Sequence, residues 1–173
     1  YRNLGSREFA FYYFRGFDKN PNSYKDEAAR QLFYPRLDVY GTSFRGPSLG
    51  GIGNIEFGYY NSREDLSGSN RLVANSLFKV LTGYEKDLGN DLKIGLQYLY
   101  EQTLDYGNYK ANLSPTDFVF DESRHLLTQR ITKFYKNQTI CVSLFNFYSP
   151  SDKDGYIRPT VSYNISDQWK AIL

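Results

Sequence analysis

Hydrophobic and polar residues alternate along most of the chain with a period of two, which is the period of a β-strand and not of a helix. In the stretch 92–101, Leu92 and Ile94 fall on one parity, whereas Lys93 and Gln97 fall on the other. Aromatic and β-branched residues, which favour strands, fill these alternating segments. The pattern therefore predicts an all-β protein.

Eight alternating segments can be drawn, and a ninth begins at Trp169. They span residues 7–17, 31–45, 52–62, 72–86, about 92–102, 124–135, 139–148 and 156–165. Most strands of soluble proteins have about 5 to 6 residues. A tilted strand that crosses a membrane needs about 9 to 11 residues, so the length of these segments favours membrane-spanning strands.

The connections between the segments alternate in length. The short ones are 3–6, 46–51, 87–91, 136–138 and 166–168, and the longer polar ones are 18–30, 62–70, 104–123 and 149–155. Tight turns at one end and longer loops at the other are typical of bacterial outer-membrane barrels. A Greek-key sandwich also contains long connections, but strict alternation is not required of it.

The predicted fold is an antiparallel up-and-down transmembrane β-barrel, with about eight to nine strands in this segment. Residues 1–173 form a single domain, and both ends resemble interrupted strands, so we expect an internal or partial piece of a longer chain and a larger barrel. A soluble sandwich or barrel remains open, because an apolar parity without charge is equally needed to bury a core. In that alternative the aromatic residues would line a ligand site.

Tyrosine is unusually frequent, with 17 Tyr and 13 Phe among 173 residues. Tyrosine is enriched where an apolar side chain must end in water, as at a membrane interface. Five tyrosines of the apolar parity fall near strand ends, where an aromatic girdle would lie: Tyr84, Tyr98, Tyr100, Tyr148 and Tyr163. The lipid bilayer is therefore the expected partner.

The 21 basic and 19 acidic residues are scattered along the chain, which argues against nucleic-acid binding.

The polar parity carries charges of both signs, together with Thr, Ser and Asn. Nine of these residues are the candidates to line a pore: Arg36, Asp38, Glu56, Lys79, Lys93, Glu101, Arg124, Arg130 and Arg158. A pore wall with charges of both signs predicts passage of small hydrophilic solutes with weak selectivity for the sign of their charge. Tyr34, Tyr40, Tyr60 and Tyr156 share this parity and could stack on sugar rings or serve packing.

Enzyme activity and cofactor binding are not expected from the sequence. His125 is the only histidine, and no nucleophile with an orienting carboxylate stands out beside it in the sequence. Asp152 and Asp154 before Gly155 resemble the start of a calcium loop, but position twelve is Tyr163 where a Glu is needed. We interpret the segment as a polar hairpin loop, with weak calcium binding as the alternative.

Residues 75–170 contain the short motifs "GYE", "LQYLYE", "RHLLT", "FYSPSDKDGYIRP" and "DQW". In these motifs the chain resembles a group of uncharacterised porin-like outer-membrane β-barrel proteins of Gram-negative bacteria. The resemblance implies a barrel in the bacterial outer membrane, and it implies no particular substrate.

The predicted function is therefore that of a passive channel for small hydrophilic solutes. The alternatives are a structural sheath that houses a partner protein in its lumen, within an outer-membrane complex, and the soluble ligand-binding domain. The sequence leaves open whether several copies assemble into a homo-oligomer.

Overall fold

The computed structural model describes residues 2–115, 117 and 119–173. Twelve strands and one short helix are present in these ranges. The strands are β1 Arg2–Leu4, β2 Arg7–Phe17, β3 Ser23–Asp26, β4 Gln31–Phe33, β5 Arg36–Ser48, β6 Gly51–Ser62, β7 Leu77–Asp87, β8 Leu92–Thr103, β9 Ser123–Tyr135, β10 Ile140–Ser149, β11 Asp154–Asn164 and β12 Lys170–Ile172, and helix α1 is Tyr106–Ala111. The all-β prediction is confirmed.

Ten of the strands form one antiparallel sheet in the order β1-β2-β5-β6-β7-β8-β9-β10-β11-β12. Every strand in it pairs with the strand that precedes or follows it in the sheet, so the topology is an up-and-down meander. The pair β3 and β4 forms a separate hairpin within the connection from β2 to β5. Over the described ranges, the large sheet is open: β1 and β12 are its two edges, and they do not pair with each other.

Predicted strand positions agree closely with the structure in most cases, and two segments differ. The predicted segment 31–45 is divided into β4 and β5, because Pro35 has no N–H with which to continue a ladder. The predicted segment 72–86 begins only at Leu77. Residues before it belong to a loop, in which the carbonyl oxygen of Leu72 accepts a hydrogen bond from the N–H of Tyr24.

The alternation of connection lengths holds for the first three long connections, which are residues 18–35, 63–76 and 104–122. The fourth was predicted to be long, and this is wrong. Ser149 pairs with Asp154, so only residues 150–153 lie outside the two strands. We call the end of the sheet with the long connections the loop end and the opposite end the turn end.

Cross-strand registers divide the sheet into two faces, because residues that pair directly project to the same side. Lys79 pairs with Glu101 and Glu101 with Arg124, which assigns all three to one face. Residues of this face from β2, β5 and β6 and from β8, β9 and β10 line one cavity of about 700 Å³. The sheet therefore curls toward that face. We call it the concave face and the other one the convex face.

Neither face of the sheet is covered. The accessible surface of the chain is 12148 Å², whereas a compact monomer of 20.1 kDa exposes about 8,700 Å². Among the described residues, Ala10 and Val73 are the only buried hydrophobic side chains. A folded sandwich would bury one face of each sheet, and this single layer buries neither.

Candidate functional site: two faces of an open sheet

The convex face is largely apolar between its two ends, where Thr42, Thr82, Gln129 and Asn146 are its polar side chains and Nδ2 of Asn146 donates to Oε1 of Gln129. Fifteen of its large hydrophobic side chains are well exposed: Phe11, Tyr13, Phe17, Tyr40, Phe44, Phe57, Tyr59, Leu96, Leu127, Tyr135, Val142, Tyr148, Ile157, Val161 and Tyr163. Only five of the concave face are exposed to the same degree: Tyr12, Phe14, Ile52, Tyr156 and Ile172. Exposed apolar area of this extent marks a surface that contacts a partner or a membrane.

Charges on the convex face of β2 and β5–β11 are confined to the two ends of the strands. Arg7, Lys86 and Lys133 lie toward the turn end, and Arg15, Arg36 and Asp38 toward the loop end. Within these described strands, no Asp, Glu, Lys or Arg projects between the two groups. On β2 the eight-residue step from Arg7 to Arg15 covers about 26 Å along the strand. At a tilt of about 40° that step would span about 20 Å, comparable with the apolar band of membrane barrels.

Tyrosines lie at both margins of this apolar band. Toward the loop end, the ring of Tyr40 is 5.1 Å from that of Tyr13 and 6.3 Å from that of Tyr59, so three neighbouring strands share a row of rings. Toward the turn end lie Tyr84 and Tyr163. All five tyrosines predicted to form a girdle, Tyr84, Tyr98, Tyr100, Tyr148 and Tyr163, are on the convex face.

Seven of the nine residues predicted to share the polar parity project from the concave face: Glu56, Lys79, Lys93, Glu101, Arg124, Arg130 and Arg158. Arg36 and Asp38 do not, since they pair with Phe17 and Asn61 on the convex face. Assigning them to the polar face was therefore wrong.

The misplacement of Arg36 and Asp38 has a local cause. Both lie at the loop end of β5, outside the apolar band, where ion partners from other segments are within reach. The Nε of Arg36 is 2.7 Å from Oε1 of Glu64, and Asp38 lies between Arg15 and Arg63 at 3.6 and 3.4 Å. Tyr40 and Tyr60 were both predicted to share the polar parity. Tyr60 does project from the concave face, whereas Tyr40 projects from the convex face.

An ion-paired network occupies the loop end of the concave face. Glu101 accepts from Lys79 at 2.5 Å and from Arg124 at 3.2 Å, and the Nε of Arg124 also contacts Oδ2 of Asp152 at 2.7 Å. The ammonium of Lys79 lies 4.8 Å from the ring centre of Tyr60. Opposite charges are thus compensated at this end of the concave face.

Asp152 is committed to this network. A hydrogen bond from the hydroxyl of Ser149, at 2.7 Å, and the guanidinium of Arg124 hold the pKa of Asp152 below its ordinary value. Within the described ranges, no group of three or more His, Cys, Asp or Glu side chains could hold a metal ion. The carboxylate that began the calcium-like motif is therefore engaged by an arginine.

The cavity on the concave face is lined by acidic and basic side chains from different strands. Glu8, Glu56 and Glu85 come from β2, β6 and β7, whereas Arg45, Lys93 and Arg130 come from β5, β8 and β9. Glu8, Arg45 and Glu85 were missed as cavity residues, although they follow the same parity as the residues that were predicted.

His125 lies near the loop end of β9, on the convex face. Its Nδ1 is 2.7 Å from the hydroxyl of Tyr98, and its ring lies 5.3 Å from that of Tyr100. The histidine is therefore part of the aromatic margin.

No helix in the described part of the chain has the length and hydropathy of a transmembrane helix.

The three long connections are tied together at the loop end by one arginine. Arg71 forms an ion pair with Glu27 of the first connection and lies 3.3 Å from Oδ2 of Asp117 in the third. Asp65 is buried and accepts hydrogen bonds from the N–H groups of Ser67 and Asn70. No local sequence pattern indicates the contacts of Arg71, because Glu27 and Asp117 are 44 and 46 positions away from it in the chain.

No known protein family matches this sequence, and neither a curated protein nor a solved structure matches it. The resemblance to porin-like outer-membrane proteins therefore stays a prediction.

Proposed function

We propose that the chain forms part of the wall of an outer-membrane β-barrel in a Gram-negative bacterium. Its convex face contacts lipid acyl chains, and its concave face lines an aqueous lumen. The observation that carries the proposal is the uncovered convex band, which has no charge between its ends and tyrosines at both margins. A charge on the lipid face at mid-bilayer costs about 2 to 4 kcal/mol, which explains such a distribution.

The function that fits this wall is passive passage of small hydrophilic solutes. The concave face carries charged and hydroxyl side chains beside a row of leucines, Leu81, Leu99 and Leu126, and its cavity of about 700 Å³ is lined by as many acidic as basic residues. Such a wall stabilises water and polar solutes and favours neither sign of charge strongly. The proposal involves no covalent step and no cofactor.

The curvature of the sheet supports an enclosing wall rather than a flat one. The edges β1 and β12 each offer unpaired backbone groups, and in hydrocarbon such groups must pair. Closure of the barrel thus requires further strands, from the same chain or from further copies in a homo-oligomer.

Planar-bilayer recordings with the protein expressed from its full reading frame test the channel. We expect discrete, ohmic conductance steps in potassium chloride. Membrane-inserted protein without conductance would contradict the channel and would favour a sheath filled by a partner protein. Protein that stays in solution without detergent would contradict the membrane wall itself and would favour the soluble ligand-binding alternative.

A further inference from the structure

Three consecutive strands of the concave face carry a cluster of cations around one aromatic ring. Arg130 on β9, Phe145 on β10 and Arg158 on β11 pair directly in one row of the sheet. The guanidinium carbon of each arginine lies 5.6 Å from the ring centre of Phe145. The two positive charges are therefore held no more than about twice that distance apart.

These arginines lack the ion pairs that compensate the charges at the loop end. Among the described residues, no carboxylate lies within 4.0 Å of a side-chain nitrogen of Arg130, Arg158 or Lys93. Gly95 occupies the position between Arg130 and Glu85 in the same row, and its missing side chain leaves open space. Asp87 pairs directly with Lys93 on the neighbouring strand, and Glu8, Glu56 and Glu85 line the same cavity, but none of them forms an ion pair with these cations. Arginines held close together without a direct ion pair attract an anion.

A row of hydroxyl groups runs beside the arginines. Thr132, Ser143 and Thr160 pair directly with one another across β9, β10 and β11, and Lys93 pairs with Thr132 at the end of this row. Over the described part of the chain, these three hydroxyls make no side-chain hydrogen bond to another residue. We call Lys93, Arg130, Arg158, Phe145, Thr132, Ser143 and Thr160 the basic patch.

An aromatic pair borders the basic patch on the other side. The rings of Phe147 and Tyr156 are 5.2 Å apart and nearly parallel, at 15°, and Tyr156 is half exposed. The ring of Tyr156 is also 5.9 Å from that of Phe145. A flat, exposed aromatic surface beside hydrogen-bond donors suits the apolar face of a sugar ring.

We propose that the basic patch binds the phosphate group of a sugar phosphate, while Tyr156 packs against the sugar ring. Guanidinium groups form paired hydrogen bonds to phosphate oxygens, and the hydroxyl row supplies further donors. The inference rests on the proposed function for the entry of solutes into the lumen, and it narrows the solutes to phosphorylated ones. Phosphate binding by the basic patch can be measured without conductance, so the binding proposal and the channel proposal can fail separately.

Calorimetric titration of the detergent-solubilised protein at low ionic strength tests the patch, with glucose 6-phosphate, inorganic phosphate and glucose as probes. We expect the first two to bind and glucose to bind at least tenfold more weakly. The double variant Arg130→Gln, Arg158→Gln should weaken phosphate binding at least tenfold, since each lost charge-assisted hydrogen bond is worth about that factor. Tyr156→Leu should weaken binding of glucose 6-phosphate and leave inorganic phosphate unchanged.

Lys133→Gln is the matched control, because it removes a cation from the same strand but from the convex face. Equal phosphate affinity in the double variant and the wild type would overturn the patch, and so would equal loss in the Lys133 control. Phosphate binding without any conductance would support the patch and contradict the channel. Conductance without phosphate binding would contradict the patch and support the channel.

Discussion

Lys79 and Glu101 face each other across β7 and β8, with Nζ and Oε1 2.5 Å apart on the concave face. Glu101 also accepts from Arg124, and its side chain is only 15% exposed. Arg124 in turn contacts Asp152, so two carboxylates compensate the two cations. The loop end of the concave face thus carries a neutralised cluster, whereas the cations of the basic patch nearer the turn end form no ion pair with a described carboxylate.

Replacing Glu101 by Gln should leave Lys79 without its carboxylate partner and Arg124 with Asp152 alone. We expect a loss of about 1 to 2 kcal/mol in the free energy of unfolding, because the pair is only partly buried. The reversal potential in a salt gradient should also shift toward anion selectivity. Glu85→Gln is the control: it lies on the same face, is exposed and makes no ion pair with a described residue. Equal effects of both variants would contradict a specific role of Glu101.

Arg71 should hold the three long connections in one arrangement. In Arg71→Gln we expect faster amide hydrogen exchange at Tyr24, whose N–H bonds to the carbonyl oxygen of Leu72, and at Asn108, whose side chain bonds to Ser67. Exchange in the strands of the large sheet should not change. Lys25→Gln, a nearby cation without an ion pair to a described carboxylate, serves as the control. Unchanged exchange at both amides in Arg71→Gln would refute the arrangement.

Acid should loosen the same loops. Hydrogen bonding to Arg71 holds the pKa of Glu27 below its ordinary value. Burial alone would raise the pKa of Asp65, but N–H groups of Asn70, Ser67 and Gly68 outweigh it and lower the pKa. A folded-state pKa below the unfolded one contributes stability above the unfolded value, and this is lost as pH falls through the folded value.

We therefore expect loop exchange to be constant from pH 7 to about 5 and to accelerate below about pH 4, near the ordinary carboxyl values. The variant Asp65→Asn should lose part of this dependence, because its amide does not titrate. Loop exchange that accelerates already between pH 7 and 6 would contradict carboxylates as the cause.

Leu49 occupies a strained position in the two-residue turn between β5 and β6. Its φ is 48°, followed by Gly50 at 76°, and its side chain is 88% exposed. Replacing it by Asn should stabilise the protein by about 1 kcal/mol, because Asn tolerates the left-handed region and little packing is lost. Leu88→Asn, in another turn and without a positive φ, should give no gain in denaturant unfolding.

How much of this could be predicted from the sequence depends on the range of the interaction. Strands β6 and β8 follow from period-two alternation, and β2 follows from its run of aromatic residues between 9 and 14. The parity of Lys79 and Glu101 follows from the alternation too. Asp38 could not be placed correctly, because its side chain is buried and its charge is compensated by Arg15 and Arg63, which come from other parts of the chain. The contact of Arg71 with Glu27 and Asp117 joins residues more than 40 positions apart, for which no local pattern exists.

The neighbours Leu96 and Gln97 test the central claim most directly, since they project from opposite faces of β8. A nitroxide would be attached at Leu96→Cys or at Gln97→Cys, each with Cys141→Ser, in protein reconstituted into lipid vesicles. Collision rates with oxygen and with a water-soluble nickel chelate would then be measured. We predict that oxygen dominates at position 96 and the nickel chelate at position 97. Nickel access at position 96 equal to that at position 97, or shielding of position 96 from both reagents, would contradict a lipid-facing convex surface.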